Sequence, residues 1–493
     1  MAELFSIGEI VKATGGIPAG TTAADTRVHV PGISTDTRTL GSGDAFFALI
    51  GENHDAHDHL EEAAAKGAAI LVVSDISKAP DGYDGVVLVV DDTLRAYQEL
   101  AAYHRQKIDP FIIAVTGSVG KTTMKDMIGC IMSERFRAYY TQGNFNNHIG
   151  LPRTILEAAG DTEVLVLEMG MSHAGEISRL CEIALPDVSV ITNIGMSHRE
   201  NFDSDEGILN AKYEIAAFLG EDGVLVIDAG GYPGLDRIAT EDSIKKGYKL
   251  LRVAAEDMPA AEYSDFIVSE ARVGDEDAAI TSFEVWERQG GEAVHFAIPV
   301  PGVYAGISAA LAAAACTCAG IPLADSAKAL VNLKRTAHRL DPIMINGILV
   351  IDDTYNASPD SVKSGLEYLK NVKAEKRIAV LADMNELGGD SEAMHREVGS
   401  AAVIMGTEIL YTYGEKARWI ADGAEAAVAG GQFVPKILWY GPDEKEKMME
   451  HLCSDIRKGC AIYVKGSRSM KMEEVVSALT GYAADAEDED DPS

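Results

Sequence analysis

The sequence predicts an α/β protein of three domains: a small N-terminal α/β domain, a central parallel-sheet domain with a phosphate loop, and a C-terminal Rossmann-like domain. With 493 residues, the chain is too long for one hydrophobic core. Near-continuous apolar runs of strand length, such as FIIAVTG, VLVLEMG and VSVITNIG, alternate with helical patterns, as expected of parallel strands that are buried on both faces. A second series of the same kind runs from GILVIDD to CAIYVKGS.

Breaks in this alternation set the expected domain boundaries. The first hundred residues alternate short apolar runs with loops, and Asp109-Pro110 then marks a turn. Residues 252–298 show the alternation that is typical of an antiparallel insert. The end of the chain is acidic, lacks apolar periodicity and is expected to be disordered. The expected segments are an N-terminal domain at 1–108, a central domain at 109–335, a C-terminal domain at 336–482 and an acidic tail at 483–493.

The chain is strongly acidic, since 43 Lys and Arg residues stand against 77 Asp and Glu residues for a formal net charge of -34. Such a surface repels phosphate backbones and anionic lipid, so nucleic acid and membrane surfaces are poor candidate partners. No apolar run approaches the roughly 20 residues of a membrane helix. The N-terminal MAELFSIGEIVKAT is typical of a short amphipathic helix rather than a signal peptide. We therefore expect a cytoplasmic protein without membrane insertion. A monomer is the expected oligomeric state, although no sequence pattern specifies it.

The stretch TGSVGKTT follows an apolar strand and opens a helical pattern, which is the context of a phosphate-binding loop. Backbone N–H groups around Gly117 to Gly120 can point at phosphate oxygens. Lys121 would neutralise phosphate charge, and Thr122 would place its hydroxyl on Mg²⁺. The spacing is one residue shorter than that of the common P-loop, and a glycine-rich turn with a solvated lysine is the alternative.

Candidate metal ligands follow the neighbouring predicted strands. Mg²⁺ takes few protein ligands, and ligands gather at the carboxyl edge of a parallel sheet. Glu168 ends VLVLEMG, and His198 follows VSVITNIG. Taken alone, Glu168 is equally typical of a helix cap, and Lys212 in LNAKYEI of a surface lysine. The amide-rich TQGNFNNHIGLP suits sugar or peptide recognition, although its composition also fits a surface loop. The six cysteines form no CxxC pair, so we assign neither a disulfide nor a zinc site.

Together these segments resemble the Mur ligase superfamily of ATP-dependent amide-forming enzymes over essentially the whole chain except the acidic tail. The family's phosphate loop has the shortened T-G-x-x-G-K-T form that stands at Thr116 to Thr122. Within the family, the most specific likeness is to the branch that joins D-Ala-D-Ala to UDP-N-acetylmuramoyl-tripeptide. This chain departs from the pattern at Ala56, where the family has glycine, and at Val119, where asparagine is frequent; we expect neither change to abolish activity.

Seven stretches follow the order of that branch and carry the likeness. They are STDTRTLGSGDAFFALIGENHDAHDHL, TQGNFNNHIGLP, LEMGMSHAGEI, ITNIGMSHRENF, DDTYNASPDSV, LADMNELG and VKGSRSMKMEEVV.

The resemblance implies a role for each matching residue. The metal ligands would be Thr122, Glu168, His198 and Lys212, the last as a carbamate. Catalytic roles would fall to Lys121, Lys212, His198 and Arg339. ATP would be bound by Thr116, Gly117, Ser118, Val119, Gly120, Lys121, Thr122, Thr123, Arg339, Asp353, Tyr355 and Asn356. The UDP-sugar peptide would be bound by Ser34, Thr35, Asp36, Arg38, Asn144, Asn146 and Asn147.

The implied reaction is ATP-dependent amide-bond formation through an acyl phosphate, a step of peptidoglycan precursor synthesis and so of cell wall biogenesis. Its substrates would be ATP with Mg²⁺, D-Ala-D-Ala and a tripeptide that ends in diaminopimelate or lysine. One alternative is a sibling ligase that adds a single amino acid, of the MurE or folylpolyglutamate type. GNFNN and DTYNASP argue against it. The other is a regulatory or transport P-loop ATPase, which would need no uridine-nucleotide segment.

Overall fold

The computed structural model describes residues 5–19, 29–195, 199–202, 204–274, 277–428 and 433–485. The chain divides into two compact units, of which the first comprises 1–113, 136–170 and 176–186 and the second 114–135, 171–175 and 187–493. Strand β8 (Phe111–Thr116) begins in the first unit and ends in the second. Within the described residues, no helix is both long and apolar enough to cross a membrane.

The N-terminal part of the first unit is a five-stranded α/β sheet, as predicted. Its strands run in the order β2-β7-β6-β5-β4, and β4 to β7 are parallel while β2 is antiparallel. The four residues of β6, ILVV, are all buried, as expected of a parallel strand covered on both faces. The elements are β1 (Phe5–Ser6), α1 (Ile7–Thr14), β2 (Ile17–Ala19), β3 (His29–Val30), β4 (Ile33–Ser34), β5 (Ala45–Phe47), α2 (Leu60–Ala65), β6 (Ile70–Val73), β7 (Val86–Val89) and α3 (Thr93–Ile108).

The rest of the first unit is a short parallel layer, in the strand order β9-β10-β8, that packs on α3. The side-chain amide of Gln98 on α3 donates to the carbonyl oxygen of His148 over 3.0 Å. His104 on the same helix is buried and contacts the carbonyl oxygen of Ala158 at 2.9 Å. Besides β8, the elements are β9 (Ala138–Tyr140), α5 (Gly150–Glu157), β10 (Val164–Glu168) and α6 (Glu176–Ala184).

In the second unit the same sheet continues in the order β8-β11-β12-β13-β14-β16-β15, with β17 on β16. Strands β11 to β14 are parallel, and antiparallel pairing begins at the β14–β16 contact. The predicted antiparallel insert therefore starts later than residue 252, because Arg252 still belongs to the parallel strand β13. The elements are α4 (Lys121–Ser133), β11 (Val188–Ile191), α7 (Asp205–Tyr213), β12 (Val224–Asp228), α8 (Pro233–Lys246), β13 (Lys249–Ala255), β14 (Phe266–Val268), β15 (Arg272–Val273), β16 (Thr281–Glu287), β17 (Val294–Ile298), α9 (Tyr304–Thr317) and α10 (Leu323–Leu330).

The C-terminal part of the second unit is a doubly wound sheet in the order β18-β19-β23-β20-β21-β22, parallel except for β18. Helices cover both faces, so alternate strand residues enter two cores: Ile351 and Tyr463 face one, Val350 and Ile462 the other. The elements are β18 (Asp341–Ile345), β19 (Ile348–Asp353), α11 (Pro359–Asn371), β20 (Lys376–Ala382), α12 (Ser391–Ile404), β21 (Ile409–Tyr413), α13 (Ala417–Val428), β22 (Lys436–Tyr440), α14 (Lys445–Asp455), β23 (Cys460–Lys465) and α15 (Glu473–Asp485).

The start of the predicted acidic tail is helical. Helix α15 continues through residues 483–485, which the sequence pattern assigned to the tail. Alanine is the strongest helix former, and the two alanines at 483–484 extend the helix before the acidic residues dominate. Residues 486–493 lie outside the described part of the chain.

Candidate active site

The phosphate loop occupies residues 117–120, between the end of β8 and the start of α4. Gly120 has φ 82° and caps the helix, a backbone conformation that favours glycine. Gly117 has φ 151°, and a Cβ at this position would lie 1.9 Å from the Oγ1 of Thr192. Backbone conformation therefore favours glycine at position 120, and the close contact with Thr192 requires glycine at position 117.

Residues that follow β11 brace this loop. The side-chain oxygen of Asn193 accepts hydrogen bonds from the backbone N–H groups of Ser118 and Val119, at 3.1 and 2.9 Å. Thr192 Oγ1 donates to the carbonyl oxygen of Val119 over 2.7 Å. Gly195 N–H donates to the hydroxyl of Ser118 over 2.7 Å. The N–H groups of Ser118 and Val119, which the sequence predicted to face phosphate, thus donate within the protein because Asn193 reaches them from the neighbouring strand.

Two lysine side chains converge on one carbonyl oxygen of the loop. Lys121 Nζ donates to the carbonyl oxygen of Gly117 over 2.7 Å, and Lys212 Nζ donates to the same oxygen over 3.1 Å. Lys212 is only 1% exposed, so it is not the surface lysine that its local sequence allowed. Burial, and then the charge of Lys121, hold the pKa of Lys212 well below its usual value. This loop accordingly places a basic pair where a bound polyanion would be stabilised.

Glu168 is 2% exposed at the end of β10, where a loop residue holds its carboxylate. Asn146 donates from its amide to Glu168 Oε1 over 2.7 Å, and its own carbonyl oxygen accepts from Gly170 N–H over 2.8 Å. Asn147 Oδ1 accepts from the N–H groups of Ile149 and Gly150 at the start of α5. Asn146 and Asn147, which the resemblance assigned to the UDP-sugar peptide, therefore have structural contacts of their own.

Arg339 lies in a strained turn between the central and C-terminal sheets of the second unit. The residues on either side, His338 and Leu340, have φ values of 63° and 50°, which are uncommon for residues other than glycine. The turn is fastened to the end of β19, because His338 Nδ1 lies 2.8 Å from Asp352 Oδ2 and Leu340 N–H donates to Asp353 Oδ1 over 3.1 Å. The guanidinium of Arg339 stacks 4.0 Å from the ring centre of Tyr355.

Asp353 also belongs to a buried ion pair that the sequence did not predict. Lys465 Nζ, at the end of β23, donates to Asp353 Oδ2 over 2.6 Å, and the hydroxyl of Tyr463 donates to the same oxygen over 3.0 Å. Burial lowers the pKa of Lys465, and the carboxylate of Asp353 opposes that shift. Asp353 thus joins the Arg339 turn to the neighbouring strand.

A small pocket that is partly open to solvent lies one helical turn beyond the phosphate loop. Its wall joins Thr123 of the loop segment to Arg339 of the turn, two residues that the resemblance assigned to ATP. The hydroxyl of Thr336 donates to Asp126 Oδ2 over 2.9 Å at this wall. The lining residues are Thr123, Asp126, Pro299, Val300, Pro301, Leu333, Lys334, Arg335, Thr336, Arg339, Leu340 and Asp341.

The predicted uridine-site residues lie after β4 in the N-terminal sheet. Ser34 Oγ donates to the carbonyl oxygen of Asp36 over 2.9 Å, and Arg38 Nη2 pairs with Asp36 Oδ2 at 2.6 Å. Hydrogen bonds from the exposed guanidinium lower the pKa of Asp36 to about 2. Ala56, the departure from the family pattern, opens a 3-10 helix at Ala56–His59, and its φ is not positive. Alanine is therefore compatible with this position.

The metal-ligand set stays a prediction. His198 lies outside the described residues. Among the residues that are described, no group of three or more His, Cys, Asp or Glu side chains could hold a metal ion. Thr122, at the start of α4, is 7% exposed, and it offers a hydroxyl of the kind that Mg²⁺ accepts. Glu168, with a carboxylate held by Asn146, offers the ligand type that Mg²⁺ prefers.

Family models match three consecutive segments of the chain. Residues 29–105 match the Mur ligase family catalytic domain, 115–317 the Mur ligase middle domain, and 338–468 the Mur ligase glutamate ligase domain. These matches agree with the predicted three-domain α/β fold.

Curated relatives and solved structures are similar over almost the whole chain. The UDP-N-acetylmuramoyl-tripeptide--D-alanyl-D-alanine ligase of Bacillus subtilis is 37% identical, over 96% of this chain and 97% of the relative. Its counterpart in Escherichia coli is 35% identical, over 92% and 94%. A crystal structure of MurF from Acinetobacter baumannii has a TM-score of 0.85 at 28% identity, over 97% and 100%. MurF of Thermotoga maritima, in complex with ADP, has a TM-score of 0.78 at 25% identity, over 92% and 98%. The chain belongs to the Mur ligase family.

Proposed function

We propose that this chain joins D-Ala-D-Ala to UDP-N-acetylmuramoyl-tripeptide at the expense of ATP, as a step of peptidoglycan precursor synthesis. The observation that carries the proposal is the pair of lysines on the shortened phosphate loop, in a chain 37% identical to a ligase named for that reaction. The relatives that are named for this reaction match this chain over nearly their full length, and the match includes the N-terminal domain. A transport or regulatory ATPase would not need that domain.

ATP is needed because a carboxylate does not condense with an amine at neutral pH. Transfer of the γ-phosphoryl group to the carboxylate of the tripeptide gives an acyl phosphate, which has a good leaving group. The amine of D-Ala-D-Ala then attacks the carbonyl carbon, and phosphate departs. The first step brings an anionic carboxylate to an anionic triphosphate, so positioning and charge stabilisation are the main tasks of the protein.

The phosphate loop would hold the triphosphate. Lys121 supplies a positive charge beside the loop, and the N-terminus of α4 adds its helix dipole. Mg²⁺, when bound through Thr122, Glu168, His198 and Lys212, would neutralise charge on the phosphate oxygens. Asn193 holds the loop in one conformation, and the N–H groups of Ser118 and Val119 would share or exchange their hydrogen bonds to Asn193 when they donate to phosphate.

Lys212 is suited to carbamylation. Its low pKa leaves part of the side chain as the neutral amine, which is the form that attacks carbon dioxide. The N–C bond forms as one C=O π bond of CO₂ breaks, and the amine loses a proton to solvent. The product is an anion in place of a base, so the site beside the loop then holds one cation, Lys121, and one potential metal ligand. Carbamylation would account for the presence of a buried lysine beneath the phosphate loop.

The pocket beside the loop is the proposed site of the adenosine moiety. It opens next to Thr123 and ends at Arg339, so a nucleotide with its phosphates on the loop would reach it. Arg339 is already held in place by Tyr355 and by the strained turn around it. Its guanidinium would then meet phosphate without a large loss of side-chain freedom.

We further propose that the three predicted domains divide the substrates. Residues 1–108 would hold the uridine nucleotide, 109–335 ATP, and 336–482 the dipeptide. The acyl phosphate hydrolyses in water, so the reaction needs all three domains to enclose it. A truncated chain that ends near Arg335 should make no product; product from that truncation would contradict this division.

ADP release tests the proposed function. The purified chain, ATP and Mg²⁺ should release ADP over repeated turnovers only when UDP-N-acetylmuramoyl-tripeptide and D-Ala-D-Ala are both present; the tripeptide alone should give no more than the ADP that accompanies one acyl phosphate per active site. The product mass should equal the sum of the two substrates less one water. ADP release that is unaffected by either substrate would support the ATPase alternative. Product formation with a single amino acid but not with the dipeptide would support the sibling ligase.

A further inference from the structure

The segment 383–390 follows β20 and links three strand ends of the C-terminal sheet; we name it the docking loop. Asp383 Oδ1 accepts from the N–H of Ala417, which opens the helix after β21, over 2.6 Å. Asn385 N–H donates to Ser467 Oγ over 2.8 Å, and the Asn385 amide donates to Ser469 Oγ over 3.0 Å. Both serines follow β23. Ligands of doubly wound sheets bind at this carboxyl edge, so the loop organises the polar end of the domain.

A buried histidine fixes the start of the docking loop. His395 on α12 is fully buried, and its Nε2 accepts from the N–H of Met384 over 3.0 Å. Its Nδ1 lies 2.6 Å from the carbonyl oxygen of Ser391, so Nδ1 carries the proton. Burial lowers the pKa of His395, which keeps the ring neutral and Nε2 available as an acceptor. Both ring nitrogens of His395 therefore form hydrogen bonds with backbone groups, and neither nitrogen takes part in the proposed reaction.

The tip of the docking loop lies against the segment that follows β11 in the ATP-binding sheet. A Cβ at Gly388 would lie 3.0 Å from the Cα and 3.2 Å from the Cβ of Glu200, and Gly388 has φ 56°. Glu200 belongs to a 3-10 helix at Arg199–Asn201. The same segment begins with Asn193, which braces the phosphate loop. The backbone of Gly388 is therefore in close contact with the backbone of Glu200. The next residue has room for a side chain, because a Cβ at Gly389 would have nothing within 4 Å.

We propose that the docking loop positions the polar edge of the C-terminal sheet relative to the phosphate loop, with Gly388 as the point of contact and His395 as the residue that keeps the loop in place. The inference rests on the proposed function, because it concerns the alignment of two substrates. Both are positioning residues: neither needs to touch a substrate. Their effect would pass from Glu200 through Gly388 to Asn385 and the two serines.

The physical reason is the sensitivity of such reactions to distance. The amine of the acceptor must approach the acyl carbon within about 3.5 Å, and a displacement of about 1 Å can lower the rate roughly 100-fold. A methyl group at Gly388 cannot be accommodated by the rotation of a flexible side chain, because the atom it meets is the Cα of Glu200. The backbone at this contact would have to shift by a few tenths of an ångström instead. The phosphate loop itself would keep its contacts, so nucleotide binding should not change.

Gly388→Ala and Gly389→Ala form a matched pair for the test. We expect Gly388→Ala to lower kcat roughly 10- to 100-fold, whereas Gly389→Ala stays within about twofold of the parent chain. The affinity for ADP should be equal in the two variants. Because alanine at the positive φ of Gly388 carries a backbone cost that Gly389→Ala lacks, kcat is compared at a temperature at which circular dichroism shows both variants to be folded. Equal kcat in both variants would overturn the proposal, as would a loss of ADP binding in Gly388→Ala that accounts for the whole effect.

Variants at His395 provide a second, independent test of the positioning role. His395→Ala removes the acceptor for Met384 N–H, whereas His395→Gln retains an oxygen that can accept it. We expect His395→Ala to lower kcat at saturating ATP and D-Ala-D-Ala, with substantial recovery in His395→Gln. Equal activity in the two variants, or an effect confined to the melting temperature, would contradict the positioning role. If the parent chain and Gly389→Ala make no product at all, the proposed function fails instead, so the two failures are distinguishable.

Discussion

The side-chain nitrogen of Lys212 lies 3.1 Å from the carbonyl oxygen of Gly117, which places a buried lysine directly beneath the phosphate loop. The same oxygen accepts from Lys121. Burial lowers the pKa of Lys212, and the charge of nearby Lys121 lowers it further, because a protein interior disfavours one buried cation and disfavours two adjacent cations more strongly. The arrangement becomes favourable once Lys212 carries an anion or the loop holds one. The predictions for these two lysines follow from this contact.

Substitution of Lys212 should distinguish a carbamate from a simple cation. Lys212→Met and Lys212→Arg should each lower kcat roughly 100-fold or more, because neither side chain can form the carbamate. Arginine retains the positive charge, so activity that survives in Lys212→Arg but not in Lys212→Met would show that the charge alone matters. The measurement is the rate of product formation at saturating substrates, with circular dichroism as the control for folding.

Lys212 should also affect how stability depends on pH. Its pKa is depressed in the folded chain, so between that pKa and the ordinary value of 10.5 the unfolded chain binds more protons than the folded chain. The free energy of unfolding contributed by this group therefore rises with pH across that window and falls as pH is lowered. Urea unfolding from pH 7 to 10, in buffers free of bicarbonate, should show a steeper rise for the parent chain than for Lys212→Met. Parallel curves would contradict the shift.

Lys121→Ala should abolish acyl-phosphate formation without unfolding the protein. The lysine side chain is half-buried at the edge of the loop, and its removal leaves the α4 helix intact while it withdraws a charge from the phosphates. Trapping with hydroxylamine, in the presence of ATP and the UDP-linked tripeptide, measures the acyl phosphate directly. A normal yield of hydroxamate from Lys121→Ala would refute the assignment of this residue.

Asn146 should affect the metal requirement through Glu168. Without the 2.7 Å hydrogen bond from its amide, the carboxylate of Glu168 loses a partner that sets its orientation. Asn146→Ala should lower activity roughly 10- to 100-fold and raise the Mg²⁺ concentration for half-maximal rate. Asn146→Asp should be worse, since it places two carboxylates side by side. Gln142→Ala, in the same loop, is the control; an unchanged Mg²⁺ requirement in Asn146→Ala would argue against this role.

Sequence patterns predicted those features of the fold that depend on neighbouring residues. The apolar runs and the glycine spacing located β8, the phosphate loop and α4, and the repeated strand–helix pattern predicted the doubly wound C-terminal sheet. These signals are local, because a buried parallel strand and a glycine turn each leave their mark within a few residues.

Local sequence patterns could not predict the contacts between residues at the ends of different strands and helices. Asn193 reaches the phosphate loop from 74 residues further along the chain, and Lys212 from 95 residues. Lys465 meets Asp353 across 112 residues because β23 lies next to β19 in the sheet order. Each of these side chains lies near or beyond the end of a helix or strand. Its partner there is determined by the order of the strands in the sheet and not by the neighbouring residues in the sequence. The resemblance to a known family, not the spacing, implied a role for Lys212.

The fate of one oxygen atom tests the central claim most directly. The tripeptide substrate is prepared with ¹⁸O in its terminal carboxylate and incubated with the chain, ATP, Mg²⁺ and D-Ala-D-Ala, and the released phosphate is analysed by mass spectrometry. Activation through an acyl phosphate transfers one carboxylate oxygen to phosphorus, so each phosphate should carry one ¹⁸O when both carboxylate oxygens are labelled. Phosphate without the label would mean that water attacks ATP, and the chain would then be an ATPase rather than a ligase.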